Sequence, residues 1–130
     1  MYAKLVLLAE DISFDDGGRV SAKNLALDLV FPSFPATITK LDLLTLWTRT
    51  PDEPADQAFE ILLQTPTGQA PTERIPVQFG DGSEAWQGIS LDGFELEQPG
   101  PYIFRFTQGT IDRGVWVLRA HHIPEGVGEA

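Results

Sequence analysis

Two adjacent histidines near the C-terminal end are the residues whose types most directly suggest chemistry. The stretch "HHIPE" holds His121 and His122, with the carboxylate of Glu125 three residues further on. Imidazole nitrogens and carboxylate oxygens are ordinary ligands of zinc and iron. However, adjacent side chains on a strand point to opposite faces, so both histidines could reach one ion only from a loop. We therefore expect neither a metal site nor a cofactor in this chain.

Aspartates in turns offer a second kind of chemistry. Asp15, Asp16, Asp81, Asp92 and Asp112 lie in or near turn sequences, several of them beside glycine. Loop carboxylates of β-sandwiches can bind calcium. Asp-Gly is also the composition that tight turns require, and "FGDGSE" lacks the spaced acidic ligands of an EF-hand loop. Calcium binding is therefore an alternative hypothesis and not the leading one.

The three tryptophans suggest stacking on a ligand. Trp86 follows an acidic turn in "SEAWQG", and we expect it to be the most exposed of the three. Trp47 and Trp116 lie in strand-like runs and are predicted to pack in or at the edge of the core. Aromatic faces suit the apolar faces of sugars, so Trp86 is the candidate ligand-binding residue of a carbohydrate module.

Catalytic signatures are missing from the sequence. The chain has no cysteine, which excludes thiol catalysis, thiolate metal sites and disulfides. It has no Gly-x-Ser-x-Gly elbow, P-loop or dinucleotide fingerprint. An acid–base pair cannot be chosen among 19 carboxylates without geometry. We therefore predict no catalytic residues and no enzyme, and keep a hydrolase or isomerase as a third hypothesis.

Composition narrows the classes of partner. Asp and Glu outnumber Lys and Arg by 19 to 9, for a formal net charge of -10. Nucleic acids and anionic membranes need a basic surface, so we expect neither as a partner. The apolar run in "MYAKLVLLAED" is short and is followed by Glu10 and Asp11, which argues against a signal peptide or membrane span. We expect a cytoplasmic protein.

Alternating apolar residues predict strands. In residues 24–31 the large apolar side chains recur at every second position, and residues 102–107 do the same with three aromatics. Turn sequences such as "FDDGGR" and "QPGPY" separate these runs. The pattern predicts a single-domain, antiparallel β-sandwich of about eight strands over residues 1–120, followed by a polar tail at 121–130.

Two Phe-Pro pairs interrupt the strand pattern in "VFPSFPA". Proline cannot donate to a sheet ladder and holds the preceding residue extended. This composition suits a crossover between the two sheets, with the rings of Phe31 and Phe34 capping the core. It equally suits an exposed apolar surface, in which Phe31, Phe34 and Pro35 are partner-binding residues.

Several of these elements together resemble a family of small bacterial proteins known only as a domain of unknown function. The similarity is carried by "DDGGRVSAKNLALDLVFPSFPA", by the leucine-rich "LDLLTLW" and by "PGPYIFRF" (residues 99–106), and it covers about two thirds of the chain. In that family a glycine is commoner where Ala26 or Asp28 lies here. The resemblance implies a β-sandwich and supplies no activity, ligand or catalytic residue.

The leading functional hypothesis is a non-enzymatic binding or scaffolding module. Its partner would be an unknown protein or a second copy of the chain, since sheet edges and apolar faces support such contacts. A small-ligand module that binds carbohydrate or calcium is the alternative.

Overall fold

The computed structural model of the protein describes residues 1–123. It is an all-β structure of two packed sheets, which confirms the predicted sandwich. The described residues form ten strands, two more than expected, because short pairings such as β6 give no alternation signal in the sequence. The strands are β1 (Tyr2–Phe14), β2 (Val20–Leu25), β3 (Asp28–Phe31), β4 (Ala36–Thr48), β5 (Asp56–Thr65), β6 (Gly68–Gln69), β7 (Glu73–Gln78), β8 (Glu84–Leu96), β9 (Gly100–Gln108) and β10 (Ile111–His122).

The strands divide unequally between the two sheets. One sheet has four strands in the order β2-β1-β4-β8, and the other has the order β3-β10-β9-β5, with β6 and β7 both pairing to β5. Every pair is antiparallel except β3 with β10, which is parallel. The chain therefore changes sheet five times: between β2 and β3, β3 and β4, β4 and β5, β7 and β8, and β8 and β9.

Aromatic side chains fill the space between the sheets. Tyr102, Phe104 and Phe106 alternate along β9 and are all buried, as the sequence pattern predicted. Trp47 is fully buried on β4 and packs on Phe59 with ring centroids 4.7 Å apart. Burial of its indole N–H carries no penalty, because Nε1 donates to Thr45 Oγ1 at 2.8 Å. The prediction that Trp47 is a core residue is confirmed.

The predicted continuous strand over residues 24–31 is wrong. Leu25 and Leu27 are exposed, whereas Ala26 between them is buried. Asn24 has a positive φ of 57°, which bends the chain at the end of β2. Beyond the bend, the Ala26 N–H donates to Leu8 of the four-stranded sheet, and the Leu27 carbonyl accepts from Arg119 of the other sheet. The apolar alternation thus spans two short strands in different sheets.

Strand β10 runs two residues past the predicted domain boundary at residue 120. The parallel partner β3 holds it in place, with His121 opposite Val30 and His122 opposite Phe31. A parallel pairing leaves no hairpin signature in the sequence, so the sequence pattern does not predict that β10 continues to His122. The remaining residues 124–130, and with them Glu125, lie outside the described residues.

A tyrosine at the start of β9 ties that strand to the turn before it. The Tyr102 hydroxyl donates to the Gln98 carbonyl at 2.7 Å and lies 3.3 Å from the Gln98 amide nitrogen. A buried tyrosine that bonds the backbone a few residues upstream is a common corner device of β-sandwiches. It fixes the direction in which the chain enters the central aromatic strand.

Replacing this tyrosine by phenylalanine should destabilise the fold. Tyr102→Phe leaves the Gln98 carbonyl without its partner inside the protein, at a cost of about 1–3 kcal/mol in the free energy of unfolding. Urea unfolding measures the change. Tyr2→Phe is the matched control, since Tyr2 is exposed and should shift stability by less than about 0.5 kcal/mol. Equal stability of the two variants would contradict this role.

Candidate functional site

From Leu41 to Trp47, strand β4 is buried on both of its faces. Leu43 and Trp47 point into the core between the sheets. Leu44 and Leu46 point to the outer side of the four-stranded sheet, yet they are only 3% and 8% exposed. The outer face of an antiparallel sheet is usually solvated and polar. Some other part of the protein must therefore cover this face.

The cover is the β1–β2 hairpin. Strand β1 pairs with β4 up to Ala9 opposite Asp42, and from Ala9 onward it pairs with β2 instead. Phe14, at the tip of the hairpin, meets Trp86 on β8 with ring centroids 5.3 Å apart and an interplanar angle of 82°. Because β4 separates β1 from β8 in the sheet, this contact requires the hairpin to fold across the outer face.

A buried carboxylate holds the hairpin in that position. Asp42 Oδ2 accepts from the backbone N–H of Ile12 at 3.0 Å, and Asp42 Oδ1 accepts from Ser90 Oγ at 3.0 Å. Lys40 Nζ lies 3.5 Å from the same carboxylate. Burial of a charge is costly unless it is paired and hydrogen-bonded, and here both conditions hold. Asp42 therefore links three neighbouring strands on the outer face.

Beside the hairpin tip, part of the outer face stays exposed. We name this surface, together with Phe14 at the tip, the aromatic face: Tyr2, Leu5, Phe14 and Trp86. Leu5 and Trp86 flank the buried Leu46 in one cross-strand row. The three aromatic residues are 56%, 49% and 43% exposed in chain order. About half of three side chains of roughly 150–250 Å² leaves about 300 Å² of apolar surface. A patch of this size on a soluble protein commonly marks an interaction site.

An ion pair borders the aromatic face. Lys4 Nζ lies 2.7 Å from Glu84 Oε2, and this hydrogen bond and the charge of Glu84 raise the pKa of Lys4. On the hairpin side, Asp15 accepts hydrogen bonds from the backbone of Gly17 and Arg19, and these bonds lower its pKa. The border is therefore polar and charged, as at the rim of a protein interface.

The exposure of Trp86 and Trp47 agrees with the prediction from the sequence. Trp86 is exposed and Trp47 is buried, which confirms the predicted contrast. Trp116 is half-buried against the core, and its indole Nε1 donates to the Ala26 carbonyl at 2.7 Å. The ligand-binding role of Trp86 stays a prediction, and its neighbour in space, Phe14, was not anticipated.

The Phe-Pro segment, residues 31–35, joins β3 of one sheet to β4 of the other, which confirms the crossover interpretation. The rings of Phe31 and Phe34 pack edge to face at 5.8 Å and are half-buried against the core. Phe34 also approaches the ring of His122 at 6.2 Å, while Pro35 is exposed. The partner-binding role of these three residues stays a prediction.

A cleft of about 660 Å³ opens between the base of the β1–β2 hairpin and the Phe-Pro segment. Both carboxylates of the cleft are engaged with neighbours: Lys40 bonds Asp11 at 2.6 Å, and Asn24 donates to Glu10 at 2.7 Å. The Lys40 ammonium lowers the pKa of Asp11, and Asp11 raises the pKa of Lys40. A carboxyl with a lowered pKa is a poor proton donor at neutral pH. The lining of the cleft combines these polar groups with the apolar side chains of Leu29, Val30 and Phe31.

The two candidate metal-binding histidines contact different neighbours, and the third candidate, Glu125, lies outside the described residues. His121 Nε2 lies 2.9 Å from Asp28 Oδ1, and His122 Nδ1 lies 2.7 Å from the Ile123 carbonyl. Within residues 1–123 no three His, Asp or Glu side chains are placed to hold a metal ion. The same part of the chain contains no helix long and apolar enough to span a membrane.

No protein-family model matches the chain, and no curated protein matches it. Solved structures with a similar course of strands include a β-glucosidase from Listeria innocua in complex with gluconolactone, at 13% identity and a TM-score of 0.48. The same enzyme in complex with glucose gives 14% identity and a TM-score of 0.49. Each match covers 92% of this chain and 16% of that chain. Likeness at this level carries no functional argument, and membership of the bacterial family stays a prediction.

Sequence reasoning missed most of the aromatic face. No sequence pattern singles out Tyr2, Leu5 or Phe14 as a site residue. Phe14 reaches Trp86 only because β1 changes its partner from β4 to β2 at Ala9. One signal was available in the uninterrupted apolar run "LDLLTLW". A run without alternation is typical of a strand that is covered on both faces.

Removal of the carboxylate of Asp42 should loosen the hairpin. Asp42→Ala deletes a charged acceptor for the Ile12 N–H and the Ser90 hydroxyl, so the free energy of unfolding should fall by about 1.5–3 kcal/mol. Amide hydrogen exchange should quicken most at Ile12. Asp92→Ala on the exposed part of β8 is the matched control and should change stability by less than about 0.5 kcal/mol. Unchanged exchange of the Ile12 amide in Asp42→Ala would show that Asp42 does not hold the hairpin in place.

Proposed function

We propose that this protein is a non-enzymatic binding module that receives a protein partner on its aromatic face. The observation that carries the proposal is the exposure of Tyr2, Phe14 and Trp86 together on one side of the four-stranded sheet. Tyrosine and tryptophan are enriched among the residues that dominate binding energy at interfaces. Leu44 and Leu46 are buried next to the exposed aromatic side chains, so these side chains pack against ordered neighbours.

The size of the face sets what it can contribute. Burial of about 300 Å² of apolar surface at about 25 cal/mol per Å² yields roughly 7 kcal/mol. Association itself costs about 4–15 kcal/mol. The aromatic face can therefore anchor a partner, but a stable complex needs further contacts beside it.

Charge favours a different protein over a second copy of the chain. Each copy carries a net charge of -10, so two copies repel each other. A partner with basic groups around an apolar centre is attracted instead, and its rate of association rises at low salt. Homodimer formation, and sugar stacking on Trp86, are the outcomes that would replace this proposal.

Capture experiments with matched variants test the role of the face. Tagged wild-type protein, Trp86→Asp and Val115→Asp are used to capture proteins from a lysate of the cells that produce it. Val115 is 52% exposed on β10, in the other sheet, so its variant controls for the loss of an exposed apolar residue. We expect a partner bound by the wild type and by Val115→Asp and reduced about tenfold or more by Trp86→Asp.

Two results would contradict the proposal. One is equal capture by all three proteins, which would place the binding surface elsewhere. The other is a homodimer in light scattering that Trp86→Asp dissociates, which would make the face a self-association surface. Circular dichroism checks that Trp86→Asp folds, and an exposed position makes unfolding an unexpected result.

A further inference from the structure

Strand β8 forms a long and regular edge beside the aromatic face. It pairs with β4 on one side, and in the described part of the chain no strand pairs with its other side. Its register against β4 stays the same from Thr48 opposite Glu84 to Ala36 opposite Leu96, and only Thr39 and Gly93 are left out of the pairing. Gly93, with a φ of +67°, bends the strand towards its end, so residues 84–92 form a straight edge of about 30 Å.

The other open edges each carry a feature that discourages pairing with another chain. Lys23 lies in β2, β3 has four residues, β6 has two, and Pro76 lies within β7. The stretches of β1, β4 and β10 that have a partner on one side only contain Lys4, Lys40 and Arg113. Lysine, short length and proline are the usual protections of sheet edges. Strand β8 has 13 residues and contains neither lysine nor proline. It is thus the edge best suited to accept a further strand.

Side chains on both faces of β8 would contact an added strand. Trp86 lies on the outer face, beside the buried Leu46. On the inner face Ile89 and Leu91 pack against the core and are half-buried, and no strand within residues 1–123 pairs with β8 on that side. A strand laid along this edge would bury apolar surface on both sides while it satisfies exposed backbone groups.

The charge along the edge distinguishes between possible occupants. All charged side chains of β8 are carboxylates, namely Glu84, Asp92 and Glu95. If two copies paired their β8 strands antiparallel about Gly88, Glu84 would lie opposite Asp92, and like charges in that position are destabilising. An incoming strand with Lys or Arg would instead be attracted.

We propose that the partner adds an extended segment to β8, with apolar residues alternating with Lys or Arg. This inference rests on the proposed function and supplies the contacts that the aromatic face lacks. Backbone hydrogen bonds along residues 84–92 provide affinity, and the apolar side chains on the inner face, beside Ile89 and Leu91, provide specificity. The carboxylates of β8 pair with the basic side chains.

Synthetic peptides test the mode of binding directly. The probe is a peptide of about ten residues that alternates valine and lysine, the length of an ordinary strand. Two control peptides are used: the same sequence N-methylated at alternate residues, and a valine–glutamate version. The valine–lysine peptide should slow amide exchange in residues 84–92, and neither control should do so. Equal effects of all three peptides would overturn the proposal.

A variant at the centre of the edge gives the second test. A Cβ added at Gly88 would meet only Leu44 Cδ1, at 3.9 Å, so Gly88→Lys should fold. It places a positive charge and a long side chain where the peptide lies, and we expect affinity for the valine–lysine peptide to fall about tenfold or more. Val115→Lys on β10, in the other sheet, changes the charge equally at an exposed position and should alter affinity by less than about twofold. Equal affinities would refute strand addition.

Capture of the partner separates the two proposals. If Trp86→Asp loses the partner and Gly88→Lys keeps it, strand addition fails and binding at the aromatic face stands. If both variants keep the partner, both proposals fail. Loss of the partner by both variants, with retention by Val115→Lys, is the result that we expect.

Discussion

Burial of β4 on both of its faces is the constraint on which the rest of the surface depends. Its inner residues join the core between the sheets, while Leu44 and Leu46 on the outer side need cover of their own. Strand β1 supplies that cover by leaving β4 at Ala9 and carrying the hairpin over the sheet. Asp42 fixes the bend with a charged acceptor, because a hairpin pinned only by apolar contacts could shift along the face.

This arrangement explains why the exposed aromatics lie at the margin of the four-stranded sheet. The hairpin extends only as far as Trp86. Strand β8 therefore pairs with β4 at one edge, and the hairpin covers only part of its outer face. An apolar surface and an open backbone edge consequently lie next to each other. Apolar contacts and backbone hydrogen bonds are the two components of recognition by strand addition, and neither needs a catalytic group.

The fold class followed from alternation, turn composition and the Phe-Pro crossover, all of which are local signals. The aromatic strand at Tyr102 and the buried Trp47 were found in the same way. The failures have a common cause, since they depend on contacts between distant segments. The break at Ala26, the parallel pairing that extends β10 to His122 and the contact of Phe14 with Trp86 all arise where the chain passes between layers. Residue types alone carry no record of such passages.

Amide hydrogen exchange on the dilute, unbound protein tests the central claim most directly. If the second half of β4 is covered on both faces and β8 is an open edge, the amides of residues 42–48 in β4 should all exchange slowly. On β8, alternate amides between residues 84 and 92 should exchange fast, because only every second N–H can bond to β4. Slow exchange at every β8 amide in the monomer would contradict the account, since it would mean that the edge is already occupied.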